Sequence, residues 1–190
     1  MIVAVCSTEG LPDPSSEEQI DAVQPFKKGE ARSWAGSYTP SSPSPETKGA
    51  ISAYVQENES IYINRALRQG KSLSPKREQW VANLDGMFSS ATPIDRDIRV
   101  FRGVERKFGK TLSEGKVFAD DGFMSTSLFF DTAEWFTGGD GYVLEIVAKK
   151  GSKAVIVETK ELELLFSRGQ RIRILHIDRD EQRIVAEILS

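Results

Sequence analysis

The sequence predicts an α+β fold, on a change of texture along the chain and on its length. Before Pro93 apolar residues recur at three-to-four-residue spacing, whereas beyond it the chain breaks into short β-branched runs bounded by Gly, Asp and Lys. Helices first and strands afterwards disfavour the alternating order of a doubly wound parallel sheet. At 190 residues, with 39% hydrophobic and 28% charged residues, the chain is long enough for one domain with a real core, or a domain plus an appendage.

Met1-Ile2-Val3-Ala4-Val5 reads as a short strand or docked tail, because Ser7, Thr8 and Glu9 end the apolar stretch too early for a secretory leader. Residues 7–48 are polar and turn-rich, culminating in Thr39-Pro40-Ser41-Ser42-Pro43-Ser44-Pro45-Glu46, and are expected to form an arm or linker anchored by Phe26, Trp34 and Tyr38. The division that follows is an N-terminal arm over residues 1–47 and a compact domain over 48–190.

Three amphipathic helices are predicted next, from Ile51, Tyr54 and Val55, from Ile61, Ile63, Ala66 and Leu67, and from Trp80, Val81, Leu84, Met87 and Phe88. Ser74 is placed to cap the third, with Pro75 at its first helical position. Strands are then expected at residues 98–102, 116–118, 123–127, 142–147, 154–157, 162–166, 171–175 and 184–188. One short helix, Thr132 to Phe136, interrupts them, with Asp131 and Glu134 spaced like a capping box.

Composition excludes several function classes. With 25 Lys+Arg against 28 Asp+Glu, a net charge of −3, the chain lacks the cationic excess that a phosphate backbone requires, so no nucleic acid partner is expected. No apolar run reaches bilayer length, so a soluble protein without a membrane partner is expected. One cysteine, Cys6, and one histidine, His176, supply neither a disulfide nor a metal cluster. His176, in an alternating strand, is expected to be half-buried and structural. Gly103-Val104-Glu105-Arg106-Lys107-Phe108-Gly109-Lys110-Thr111 has one residue too many between its glycines for a phosphate loop and reads as a charged turn. Gly138-Gly139-Asp140-Gly141 precedes a strand, where a dinucleotide fingerprint must follow one.

Three polar insertions in otherwise apolar strands remain. Arg102 ends a hydrophobic strand before Gly103. Ser125-Thr126-Ser127 follows Gly122-Phe123-Met124, placing three hydroxyls where a core strand favours Val or Ile. Glu161-Leu162-Glu163 opens the strand continuing Leu164-Leu165-Phe166, and period-two alternation puts both carboxylates on one face with Leu162 pointing away. Like charges so placed repel unless a cation or proton is shared. Taken singly, each has an ordinary reading: a solvated arginine, an edge strand, the wet face of a sheet.

Their order is what distinguishes them. Arg, then Ser-Thr-Ser, then Glu-x-Glu resembles the arginine-serine-glutamate class of mono-ADP-ribosyltransferases, which includes the actin-modifying clostridial binary toxins and several phage enzymes. The likeness covers most of residues 48–177. Tyr54 with Ile63-Asn64-Arg65-Ala66-Leu67-Arg68 is similar to the family's helical NAD-binding segment, and Val100-Phe101-Arg102-Gly103 to its arginine motif. Residues 122–127 resemble its hydroxyl motif, and residues 161–172 its catalytic strand with the following turn and strand.

The resemblance implies helices packed on two antiparallel-rich sheets with NAD in the cleft between them, and no metal. It implies transfer of ADP-ribose from NAD to a target protein. Glu163 would stabilise the cationic ribose, and Ser125 would position Glu163, with Thr126 and Ser127 holding the strand. Arg102 with Gly103 would take the diphosphate and orient the nicotinamide. Tyr54, Asn64 and Arg68 would contact the rest of NAD, and Phe129, Phe130, Trp135 or Phe136 would close over nicotinamide. Glu161 at the first Glu position accompanies arginine acceptors in the family. Two departures stand out: no Lys or Arg occurs between Lys116 and Lys149, and Val157-Glu158-Thr159-Lys160 is shorter than the aromatic-bearing turn of relatives. The former leaves Arg102 and Arg68 for the diphosphate. A NAD glycohydrolase without a protein acceptor, or a silent binding module, are the rival expectations. A glycoside hydrolase is disfavoured, since side chains at i and i+2 cannot flank a sugar from opposite faces. Action in the cytoplasm of a host or target cell, with delivery by another component, completes the expectation.

Overall fold

The computed structural model of the chain describes residues 4–39, 43–56, 58–160 and 162–189. A first strand, β1 (Ala4–Cys6), and two short helices, α1 (Glu17–Ala22) and α2 (Lys28–Gly36), precede the predicted helical triplet. The start of the expected N-terminal strand, Met1 to Val3, and Pro40 to Ser42 of the expected linker lie outside the described residues. The triplet forms as α3 (Pro45–Gln56), α4 (Glu59–Arg68) and α5 (Pro75–Ser90). Its apolar faces meet through Tyr54, Ile63, Leu84 and Phe88 and receive Phe123, Val155 and Leu165 from the strand region. Pro75 begins α5 as expected, but the Ser74 side chain makes no capping hydrogen bond.

The strands follow as β2 (Ile98–Val104), β3 (Val117–Asp120), β4 (Met124–Ser127), β5 (Tyr142–Ala148), β6 (Ala154–Glu158), β7 (Glu163–Phe166), β8 (Gln170–Asp178) and β9 (Arg183–Leu189), with α6 (Arg106–Gly109) and α7 (Phe130–Trp135) between them. All nine hydrogen-bond in one order, β1-β3-β8-β9-β5-β2-β4-β7-β6. The pairs are antiparallel except β5 with β9. The expected two sheets are thus two halves of one sheet, joined at β2 and β4 by the single register pair Phe101↔Ser127. By contrast β2 pairs with β5 along its whole length, from Ile98↔Ala148 to Val104↔Tyr142. Both halves send side chains into one core, Val100, Leu144, Ile174 and Ala186 from one and Ile156, Leu164 and Phe166 from the other. Among the described residues no helix is long and apolar enough to cross a membrane, and no group of metal-ligating side chains gathers.

The N-terminal stretch is held to this core by specific contacts. Trp34 and Tyr38, expected as anchors, are buried in the main cluster and stack at 4.2 Å, with Phe26 packed against them. Ser16 and Gln19 form a capping box that starts α1 in a polar sequence. Arg99 donates to the carbonyls of Ile20 and Val23, and Arg173 to that of Pro12, while Ser15 bonds Glu187. Both arginines are also ion-paired, Arg99 with Glu145 and Arg173 with Glu187, so the buried charges have partners.

Three local expectations are corrected. The short helix α7 starts at Phe130, not Thr132, and Asp131 lies inside its first turn, so no Asp131–Glu134 capping box forms. Ser127 Oγ instead accepts from Phe129 N–H at 3.0 Å and turns the chain into the helix. His176 is solvent-exposed beside Glu114, because a bulge between Ile174 and His176 breaks the strand alternation. The charged run after Gly103 contains a helical turn, α6, that buries Phe108.

Gly103 sets how closely α7 approaches β2. A Cβ there would fall 2.2 Å from the Ala133 carbonyl oxygen and 3.0 Å from Phe136, so even one methyl forces α7 outward. Gly103→Ala is expected to lower stability by about 1–3 kcal/mol, as overpacked sites do, measured as a reduced thermal midpoint by calorimetry.

Candidate active site

The strand order brings the ends of β2, β4 and β7 together at the narrow joint of the sheet. Alternation places Arg102 on the face of β2 that carries Val100 and Val104, both core residues, where the core opens into a cleft. Its Nη1 donates to the Ser125 carbonyl across the joint at 2.8 Å. Burial pulls the Arg102 guanidinium below its ordinary pKa, opposed by the nearby Asp120 carboxylate; an arginine still remains a cation near neutral pH.

The hydroxyl strand lies beside the carboxylate strand in a fixed register, Ser125↔Leu165, Thr126↔Leu164 and Ser127↔Glu163. Ser127 therefore sits directly across from Glu163. Thr126 is buried and donates its hydroxyl to the Leu164 carbonyl at 2.8 Å, riveting β4 to β7. The Ser125 side chain faces Tyr54 across the cleft that both line.

The helix α4 docks against the start of β4 through polar contacts. Asn64 Oδ1 accepts from Phe123 N–H at 2.9 Å and its Nδ2 donates to Tyr54 Oη at 2.7 Å, so both ends of the amide are engaged. Tyr54 is almost wholly buried, and burial raises its phenol pKa although the neighbouring Asn64 and Ser125 side chains act in the opposite direction. Arg68 grips Asp120 with two bonds of 2.6 and 2.9 Å, both side chains nearly buried. Gly122 permits this approach: a Cβ there would meet Asn64 Oδ1 at 2.8 Å.

The Glu-x-Glu reading needs correction. Leu162 adopts a left-handed backbone, φ +51°, and β7 begins only at Glu163. Period-two alternation holds for extended chain alone, so it does not fix the two carboxylates on one face. Leu162 is buried in the main core, and that burial offsets an unfavourable backbone conformation. Glu161 lies outside the described residues.

Tyr54, Asn64, Arg68, Arg102, Gly103, Ser125, Thr126, Ser127 and Glu163 all line one cavity of about 650 Å³, of the size that takes a cofactor-sized molecule. Of the four candidate aromatics, Phe136 lines it; Phe129 and Phe130 line a separate groove with Arg183, and Phe130 packs edge-on against Phe101 at 5.7 Å. Arg65, one residue beyond Asn64, also lines the cavity and is exposed, with no ion pair among the described residues. Its signal is the helical spacing of Ile61, Arg65 and Arg68, but sequence alone does not show that Arg68 is taken by Asp120.

The fold is that of the bacterial ADP-ribosyltransferases. The C3 exoenzyme from Clostridium limosum superposes with a TM-score of 0.75 at 21% identity, over 88% of this chain and 98% of that one. Exoenzyme S from Pseudomonas aeruginosa, solved in complex with human 14-3-3 protein beta and bound to carba-NAD, gives 0.65 at 23% identity over 88% and 86%. Among curated proteins, Exoenzyme T from Pseudomonas aeruginosa is 26% identical over 164 residues, 85% of this chain. The chain spans 35% of that relative's length. The family profile of the ADP-ribosyltransferase exoenzymes matches residues 31–189, and the chain belongs to that family.

Replacing Arg68 by Met leaves Asp120 buried without its cation. The expected loss is about 3–5 kcal/mol of stability by urea denaturation, whereas Arg65→Gln should change stability by less than about 0.5 kcal/mol.

Proposed function

We propose that this chain transfers ADP-ribose from NAD to an arginine side chain of a target protein, releasing nicotinamide. The convergence of Arg102, Ser125, Ser127 and Glu163 on one cavity carries this reading. Membership of the ADP-ribosyltransferase exoenzyme family and the carba-NAD bound by exoenzyme S support it. The family's exoenzyme character also supports action inside a target cell after delivery by another component.

In this reaction the bond between nicotinamide nitrogen and ribose C1′ breaks, and its electron pair leaves on nicotinamide, cancelling the pyridinium charge. Positive charge develops on the ribose, and Glu163 is the carboxylate that stabilises it. Arg102 is fixed before substrate arrives by its bond to the Ser125 carbonyl, and its remaining N–H donors suit a diphosphate oxygen. Arg65 supplies the second diphosphate cation, because Arg68 is held by Asp120. Tyr54 and Asn64 act chiefly by holding the walls in place, Ser125 positions Glu163, and Phe136 covers the nicotinamide end.

The acceptor assignment rests on Glu161. An arginine guanidinium is neutral in only about one molecule in a million at pH 7, so attack needs a carboxylate to attract it and take its proton. The guanidine nitrogen then forms a bond to C1′ while its proton passes to Glu161.

Incubation with labelled NAD and a eukaryotic cell lysate tests the reading, with the modified residue mapped by mass spectrometry. Label on arginine supports it; label on another residue type, or nicotinamide release without labelled protein, overturns the acceptor assignment. Glu163→Gln should slow nicotinamide release at least about a hundredfold. Glu161→Gln should abolish arginine labelling while nicotinamide release persists. For Arg65→Gln, KM for NAD is expected to rise roughly tenfold with kcat little changed, as for loss of one charge-assisted contact of about 1.5 kcal/mol.

A further inference from the structure

Large apolar side chains are rarely left in water, and where several gather they mark contact surfaces. In this chain the exposed large hydrophobics among the described residues are Val5, Ile61, Tyr62, Trp135 and Phe136. All but Val5 belong to two places, the first half of α4 and the end of α7. Those are elements that wall the cleft: Ile61 and Phe136 line the cavity itself. Trp135 is 78% exposed and stands edge-on to Phe136 at 4.9 Å, so the apolar surface continues from the cavity wall outward. Tyr62, the residue after Ile61 on α4, is 53% exposed, its ring covered on one side by the Arg77 guanidinium at 4.9 Å.

We infer that Tyr62 with Ile61 on α4, and Trp135 at the end of α7, form the docking face for the acceptor protein. The inference rests on the transfer reading above. If an acceptor side chain must reach ribose C1′ inside the cleft, the surface around that side chain must lie over the mouth and cover these rings. The partner is accordingly a folded protein whose acceptor arginine is bordered by apolar surface. A free guanidine such as agmatine is too small to cover them. Tyr and Trp are the residue types whose burial contributes most at interfaces, and their exposure here is otherwise unfavourable.

The test compares two acceptors with the same enzyme. Trp135→Ala and Tyr62→Ser, neither of which lines the cavity, are assayed for labelling of lysate protein, for agmatine modification and for nicotinamide release, with thermal midpoints measured as a check on folding. Protein labelling should fall roughly tenfold to thirtyfold through a higher KM for the protein, with agmatine modification and nicotinamide release within about twofold of the parent. Unchanged protein labelling overturns the inference. An equal fall with agmatine also overturns it, since the residues would then serve the NAD site. A parent enzyme that modifies agmatine but labels no protein instead rejects the protein-acceptor reading, and the docking face with it.

Discussion

The Arg102 guanidinium bridges β2 and β4 where their ladder has only one residue pair. On either side of that joint backbone hydrogen bonds knit the sheet over longer ladders, seven register pairs between β2 and β5 and four between β4 and β7. At the joint a side chain takes over: a charged donor reaches the Ser125 carbonyl and ties the two halves while standing at the rim of the cleft. A cation there is removed from water, which lowers its pKa, and Asp120 partly compensates. The same desolvation that makes the position unfavourable for an arginine strengthens its hold on an anion.

Around this joint the polar groups are assigned to fixed partners before any substrate is present. Thr126 fastens β4 to β7, Asn64 fastens α4 to Phe123 and Tyr54, and Arg68 is neutralised by Asp120. These are buried contacts whose loss leaves an unsatisfied group, so they hold α4 and the hydroxyl strand as one rigid wall. Arg65 and Phe136 belong to the opposite category, exposed at the cavity and open to a ligand. Division of neighbouring residues into wall and contact, Asn64 from Arg65 for example, separates the supporting frame from the groups available to a ligand.

Much of the fold was legible because burial imposes periodicity. Ile63, Leu67, Leu84 and Phe88 repeat as a helix face must, and Val143-Leu144-Glu145-Ile146-Val147 reads as strand because it is buried on both sides. The candidate site was legible for a different reason: Arg102, Ser125-Thr126-Ser127 and Glu163 are polar insertions in otherwise apolar strands, and their order along the chain resembles one family's pattern. What misled was local backbone. Period-two reasoning across Glu161-Leu162-Glu163 presumes extended chain, and the left-handed turn at Leu162 breaks that presumption without any Gly or Asn to announce it. The polar N-terminal stretch gave no apolar pattern, because much of its docking uses carbonyls accepting from Arg99 and Arg173, and backbone acceptors are the same in every sequence.

By itself the sequence determined the helices-then-strands architecture and the identities of the charged and hydroxyl groups at the cleft, since hydrophobic period and residue chemistry are written in one dimension. Tertiary structure decided the joining of two sheet halves at a single pair, and which arginine is engaged and which is open. Pairing partners far apart in sequence, Arg68 with Asp120 and Phe101 with Ser127, depend on strand order and helix docking, and no local pattern encodes them.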